Sequence, residues 1–197
     1  LLLFSVNRAA LYSYGSQKLM RRLWRSLRRW HQANPIGLAA AHARHHYDVP
    51  IELYRLFLDD QLQYSCAYFR DPERETLDQA QHNKLVHATS KLQLKPGMTV
   101  AEIGSGWGGF AIHLARETGA RVTGINVSPE QIKVARVYAE AAGVSDRVEF
   151  RELDYRQFTG QFDRVVSVGM MEHVGAQHFD EYFAKVRQLL TPDGYAF

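Results

Sequence analysis

The sequence predicts an α/β protein built on a doubly wound parallel sheet, with an α-helical arm at its N-terminus. Three observations predict it. The apolar run Val100-Ala101-Glu102-Ile103 ends in the glycine turn Gly104-Ser105-Gly106-Trp107-Gly108-Gly109. From there, apolar strand-like runs alternate with amphipathic helix-like stretches, the pattern of βαβ units. Finally, residues 1–47 carry eight Lys or Arg and no acid, whereas residues 48–197 carry sixteen basic and twenty-one acidic residues. A basic arm over 1–47 is therefore expected on an acidic body over 48–197.

In the arm, Gln17 to Trp30 reads as an amphipathic helix. Leu19, Met20, Leu23, Trp24, Leu27 and Trp30 share one face, and six Lys or Arg cover the other. Such a helix suits an anionic membrane surface, or packs on its own protein with a solvated basic face. Asn34-Pro35-Ile36-Gly37 ends it. His42, His45 and His46 have no carboxylate at helical ligand spacing, so they read as a helix end, and no metal is expected.

Ile51 to Asp60 reads as a helix. Gln63 to Phe69 is dense in aromatics and holds the only thiol, Cys66; its composition predicts core packing and an inert buried cysteine. Thr76 to Leu92 is an amphipathic helix, and Lys95-Pro96-Gly97 turns into the first strand. A helix from about Gly108 to Glu117 follows the glycine turn. Arg121 to Val127 is the second strand. Ser128 and Gln131 form a capping box, with Pro129 at the first position of a helix that ends at Gly143. Arg147 to Leu153 is the third strand. Phe162 to Val168, read as a near-continuous apolar run fit for burial on both faces, is the fourth. Gln177 to Leu190 is a helix, Thr191-Pro192-Asp193-Gly194 a turn, and Tyr195 opens a fifth strand. Ligands in such sheets sit at the strand carboxyl ends where the topology switches, which gathers Gly104, Asn126, Asp154 and Gly169 around one crevice.

Gly104, Gly106 and Gly109 satisfy the G-x-G-x-x-G pattern of dinucleotide sites. Glu102 favours another ligand: an acid two residues before the first glycine resembles the first motif of S-adenosylmethionine (SAM)-dependent methyltransferases. A nicotinamide cofactor and a ligand-free glycine turn are the alternatives. One cysteine excludes an internal disulfide and a cysteine-cluster metal site, and fits a reducing, cytoplasmic setting. The acidic body disfavours nucleic acid as a partner. Leu1 to Phe4 is too short for a signal peptide or a membrane span. The missing initiator methionine and the stop at Gly194-Tyr195-Ala196-Phe197 lead us to expect a fragment.

Several stretches, taken together, resemble the cyclopropane-fatty-acyl-phospholipid synthase family, which includes the mycolic acid cyclopropane synthases. They are His46-Tyr47-Asp48, Gln63-Tyr64-Ser65-Cys66-Ala67-Tyr68, Leu94 to Met98, Gly104 to Gly109, Asp154-Tyr155-Arg156 and Ser167 to Gly175, in the family's order and spacing. The tyrosine-serine-cysteine-alanine-tyrosine run and the Glu172-His173 pair are particular to this family; the glycine loop is common to many methyltransferases. The first 45 residues carry no part of the resemblance.

The resemblance implies a class I SAM-methyltransferase core over 48–197. The reaction it implies is methyl transfer from SAM to a cis double bond of a phospholipid acyl chain, with proton loss to a bound bicarbonate and closure to a cyclopropane. It implies that Tyr64 and Ser65 touch SAM and that Glu102, Gly104, Ser105, Gly106, Trp107, Gly108 and Gly109 hold its methionine part. Asn126 and Gln131 would lie near the ribose, and Asp154 and Tyr155 near the adenine. Cys66, through its backbone, and Glu172, through its carboxylate, would form the bicarbonate pocket as catalytic residues. Each has a plainer rival: Gln131 completes a capping box, Glu172 caps a helix, Asp154 is a loop acid. Ser105 stands where the family commonly has cysteine, and Asn126 where it commonly has threonine. The family's remaining bicarbonate ligands and acyl-binding elements lie downstream of Phe197, so these 197 residues are expected to hold part of a SAM site and to be catalytically incomplete. The setting implied is cytoplasmic, peripheral to the inner membrane face, with room for a homodimer. A lipid methyltransferase giving a methyl branch, and a non-catalytic membrane-surface module, remain as alternatives. A nucleic-acid amino-methyltransferase is disfavoured, because Gly169-Met170-Met171-Glu172 replaces the Asn/Asp-Pro-Pro-aromatic motif of that class.

Overall fold

The computed structural model describes residues 50–197. The predicted arm helix, the histidine cluster, the boundary at residue 47 and the His46-Tyr47-Asp48 stretch lie outside the described residues. Within them run α1 (Ile51–Tyr54), α2 (Leu77–Leu92), β1 (Thr99–Ile103), α3 (Gly109–Thr118), β2 (Arg121–Asn126), α4 (Pro129–Ala141), β3 (Val148–Glu152), β4 (Phe162–Val166), α5 (Met171–Val174), α6 (Phe179–Leu189) and β5 (Leu190–Ala196). Short 3-10 turns occupy Tyr155–Gln157 and Ala176–His178.

The five strands are all parallel and lie in the order β3-β2-β1-β4-β5. The chain winds outward from β1 through β2 to β3, then crosses to β4 and β5 on the other side. The switch point therefore lies between β1 and β4, as the doubly wound expectation requires. Residues of β1 alternate between two cores. Val100 joins Leu85, Leu92, Leu114 and Ile132 on one face, while Ala101 and Ile103 join Phe158, Val186 and Leu189 on the other. Each fully buried Leu or Ile contributes about 1.5–3 kcal/mol, so helices on both faces are required to cover this sheet.

Several local features differ from the sequence expectations. The helix begun at Ile51 stops at Tyr54 and does not reach Asp60. The buried Asp59 carboxylate accepts from the Gln61 and Gln63 N–H groups at 3.2 and 2.7 Å, and Leu62 takes a positive φ, so the chain turns there. The expected turn Thr191–Gly194 is looped out within β5, which starts directly at Leu190. Phe162 pairs with Leu190 and Arg164 with Tyr195, so three residues of β4 face six of β5. Pro192 has no N–H for the ladder, and the edge position of β5 tolerates the excursion.

The fourth strand is less apolar than its pattern suggested. Arg164 is buried in it and donates to the carbonyl of Leu92, the last residue of α2, at 2.7 Å. Its guanidinium carbon lies 3.9 Å from the centre of the Tyr195 ring. A cation at a helix C-terminus is favourable, and this one ties α2, β4 and β5 together. Arg164→Ala should lower unfolding stability by about 1.5–3 kcal/mol, the range for losing hydrogen bonds to a charged group, in urea titrations of the whole protein.

Candidate functional site

The site is built on the turn after β1. Gly104 and Ser105 both donate to the Ile125 carbonyl, at 2.9 and 3.0 Å, stitching the turn to β2. Gly108 then donates to Ser105 at 2.9 Å and closes it. Gly108 has φ +87°, and a Cβ there would stand 2.7 Å from both Ala135 Cβ and Phe150 Cζ. Glycine is required twice over, by conformation and by space. A Cβ on Gly109 would strike the Gln61 carbonyl and the Gln63 amide. On β2, a Cβ on Gly124 would lie 2.9 Å from Ser105 Cβ. The Ser105 side chain is thus turned toward β2.

Glu102 is buried in β1 on the same face as Val100, under the start of α3. The Ala111 N–H donates to its carboxyl, while Oε2 has no hydrogen-bond partner among the described residues. Burial pushes this carboxyl up to about 8, against the Ala111 bond. Ser105 Oγ and Trp107 Nε1 are likewise buried without a partner among the described residues.

The Gln63–Phe69 run is not core. Tyr64, Cys66, Tyr68 and Phe69 are exposed, with Tyr64 at 60%. The run belongs to no helix or strand, and its side chains do not share one buried face. Its backbone is held by Gln81 of α2, whose amide donates to the Gln63 and Ser65 carbonyls at 3.2 and 2.9 Å. Tyr64 meets Tyr54 and Phe57 with ring centres 5.6 and 6.2 Å apart, and Tyr54 meets Trp107 at 5.3 Å. An aromatic cluster therefore joins the run to the glycine turn.

The capping box at α4 is half formed. Ser128 Oγ accepts from the Gln131 N–H at 3.3 Å. The Gln131 side chain, however, accepts from Asn126 Nδ2 at 2.5 Å. Asn126 Nδ2 also points at the Gly106 carbonyl, 3.4 Å away. Asn126 and Gln131 thus form one polar bridge from the end of β2 to the glycine turn. After β3, Asp154 caps the turn at Tyr155–Gln157 and takes a two-pronged ion pair from Arg156, at 2.9 and 2.7 Å. Burial alone would raise its carboxyl, but the Arg156 bonds outweigh burial and hold it below the ordinary carboxylate value. The Tyr155 ring is buried, edge-on to Tyr182 at 5.3 Å.

Across the switch point, Glu172 lies exposed in the short α5. Gly169 brings it near the aromatic run: a Cβ there would lie 3.4 Å from Ser65 Cβ and 3.9 Å from Glu172 Oε1. Met170 packs on Gly104, 3.3 Å from where its Cβ would be. Ser65, Glu172 and the glycine turn are thus brought together, and Asn126 with Gln131 bridges the end of β2 to the turn, whereas Asp154 is taken up by its cap and Arg156 and the Tyr155 ring packs into the core against Tyr182. Sequence reasoning missed Tyr54, Gln81, Lys84 and Gly124. Only Gly124 left a signal, as a glycine inside a strand.

These residues fit SAM. Glu102 suits an ammonium, the buried unpartnered atoms beside the turn suit a ligand that brings its own donors and acceptors, and π faces suit a sulfonium cation. Among the described residues there is no cluster able to hold a metal ion and no helix long and apolar enough to cross a membrane.

Comparison with known proteins points the same way. The family model for mycolic acid cyclopropane synthetase matches residues 38–197. A probable fatty acid methyltransferase of Pseudomonas putida is 48% identical over 144 residues, covering 72% of this chain and 36% of the relative. The cyclopropane-fatty-acyl-phospholipid synthase of Escherichia coli K12 is 45% identical over 151 residues, covering 77% and 38%. The chain thus spans somewhat over a third of these relatives' length. Among solved structures, mycolic acid cyclopropane synthase CmaA1, complexed with S-adenosylhomocysteine (SAH) and CTAB, aligns with TM-score 0.74 at 34% identity, over 79% of this chain and 54% of that one. Cyclopropane synthase MmaA2 from Mycobacterium tuberculosis aligns with TM-score 0.75 at 32% identity, over 83% and 56%.

The raised Glu102 carboxyl has a consequence for stability. A group whose folded pKa is raised contributes stability that is present below its unfolded value, near 4.5, and lost as pH rises through about 8. Without ligand, Glu102→Gln should therefore melt several degrees above the parent at pH 9, at about 2–4 °C for each kcal/mol relieved. The gain should shrink toward pH 5, as read by scanning calorimetry, and the same variant should bind SAH more weakly.

Proposed function

The chain belongs to the mycolic acid cyclopropane synthetase family, and from that membership we propose that its protein transfers a one-carbon unit from SAM to a cis double bond of a phospholipid acyl chain, forming a cyclopropane. The observation that carries this reading is the convergence of the glycine turn, Ser65 and Glu172 at one end of the sheet. When bound, SAM supplies an electrophilic methyl group on a sulfonium.

The turn from Gly104 to Gly109 and Glu102 hold the amino-acid end of the cofactor, Asn126 and Gln131 the ribose side, and Asp154 with Tyr155 the adenine side. The π faces of Tyr54, Phe57, Tyr64 and Trp107 favour positive charge near the turn. Glu172, exposed beside Ser65, stabilises cationic character at the acceptor and helps organise a proton acceptor, for which bicarbonate held by Cys66's backbone is the candidate. The basic residues of 1–47 would attract the protein, from the cytoplasmic side, to the anionic inner face of the membrane, where the acyl substrate lies.

The Pseudomonas putida relative supports a second reading, in which the same site leaves a methyl branch. Mass spectrometry distinguishes the outcomes. The complete gene product, with SAM and liposomes of cis-unsaturated phospholipid, should yield acyl chains one methylene heavier with the double bond consumed and no branch. A methyl-branched chain would establish the second reading, and unchanged lipid would contradict both.

A further inference from the structure

Lys84 lies in α2, outside every motif that points to function. Its ammonium is half-buried and donates to Ser65 Oγ at 2.7 Å. One turn earlier on the same helix, Gln81 holds the Ser65 carbonyl at 2.9 Å. Residues three apart share a helix face, so α2 presents a two-point clamp to Ser65, one point on its backbone and one on its side chain. Ser65 Cβ and Glu172 Oε1 both lie close to Gly169, 3.4 and 3.9 Å from where its Cβ would stand.

The chemistry of this contact is directional. An ammonium has three donors and no acceptor; a serine hydroxyl has one donor and two lone pairs. Facing Lys84, Ser65 Oγ must accept, and its single O–H is left to donate elsewhere. We infer that Lys84 is a positioning residue that fixes Ser65 as a hydrogen-bond donor into the crevice, so that the crevice takes an anionic oxygen at this point. This rests on the reading of the crevice as a SAM site. The anionic oxygen has two candidate sources, the cofactor's own carboxylate and a bound bicarbonate.

Burial lowers the Lys84 ammonium to about 8, against Asp59 and Cys66, which hold it up. The groups facing it are Asp59 before the run and Cys66 on it, with Glu172 close to Gly169. Below pH 8 the ammonium locks the hydroxyl outward. Above it, the neutral amine gains a lone pair and can accept a hydrogen bond from the Ser65 O–H, so the polarity at the crevice is no longer fixed.

The test is calorimetric titration of SAH into the complete gene product, with circular dichroism as a check of folding. At pH 7, Lys84→Met and Ser65→Ala should each weaken binding about ten-fold, and the double variant should be no weaker than either single one. Lys84→Arg, which stays charged, should retain the Ser65 contribution from pH 7 to 9.5, whereas in the parent it should fade above about pH 8. Repeating the cycle with methylthioadenosine, which lacks the amino-acid carboxylate, locates the oxygen. Coupling lost with this ligand assigns it to the cofactor, and coupling that appears only with added bicarbonate assigns it to that anion. Additive losses, or a Ser65 contribution with the same pH profile in parent and Lys84→Arg, would overturn the inference; the latter arm decides if Lys84→Met does not fold. A folded parent that binds no SAH would overturn the SAM reading itself, and this inference with it.

Discussion

The glycine turn after β1 leaves no spare volume, and much of the site follows from that constraint. Gly108 is packed against α4 and β3, Gly109 against the segment before Tyr64, and Gly124 of β2 makes room for Ser105. Each contact is shorter than a side chain could tolerate, so three glycines fix four pieces of chain relative to one another. The aromatic run is thereby brought to the crevice by packing, and α3 begins directly above Glu102. A protein interior this close-packed transmits position over several residues, which is what a site assembled from loops needs.

Around that turn the protein keeps ionisable groups out of water in unequal ways. Asp154 is compensated by a two-pronged arginine pair and stays acidic. Asp59 is compensated by the Gln63 and Gln61 N–H groups and by the charge of Lys84, and burial raises it in spite of them. Glu102 has a single such bond and is raised furthest, to about 8. The least compensated carboxyl thus lies beside the glycine turn, where a cationic ligand would relieve it. Desolvation tolerated at a crevice in this way is a mark of a site arranged for binding.

The fold was legible because its signals are local. Continuous apolar runs, the glycine turn and a capping residue before α4 suffice to place four strands and their helices. What escaped depends on long-range partners. Arg164 interrupts an apolar strand because its partner, the Leu92 carbonyl, is 72 residues away. The strand beginning at Leu190 was hidden by Thr-Pro-Asp-Gly, a turn sequence that the edge of the sheet absorbs as an excursion. In the site, the motif residues were legible by resemblance, but their partners were not. Gln131 was open to two readings, and its backbone takes the cap while its side chain goes to Asn126. Composition alone placed Cys66 in the core, whereas a run outside helix and strand, clamped by Gln81, leaves it exposed. Lys84 is an ordinary helix lysine until folding brings Ser65 to it.

On this reading, one crevice at the carboxyl ends of β1 to β4 holds SAM. Amide hydrogen exchange of the complete gene product, with and without SAH, tests it most directly. Added protection should be confined to the peptides containing Gly104–Gly109, Asn126–Gln131, Asp154–Tyr155 and Tyr64–Cys66, with none from NAD at equal concentration. Protection by NAD, or SAH protection that leaves the glycine turn unchanged, would contradict it.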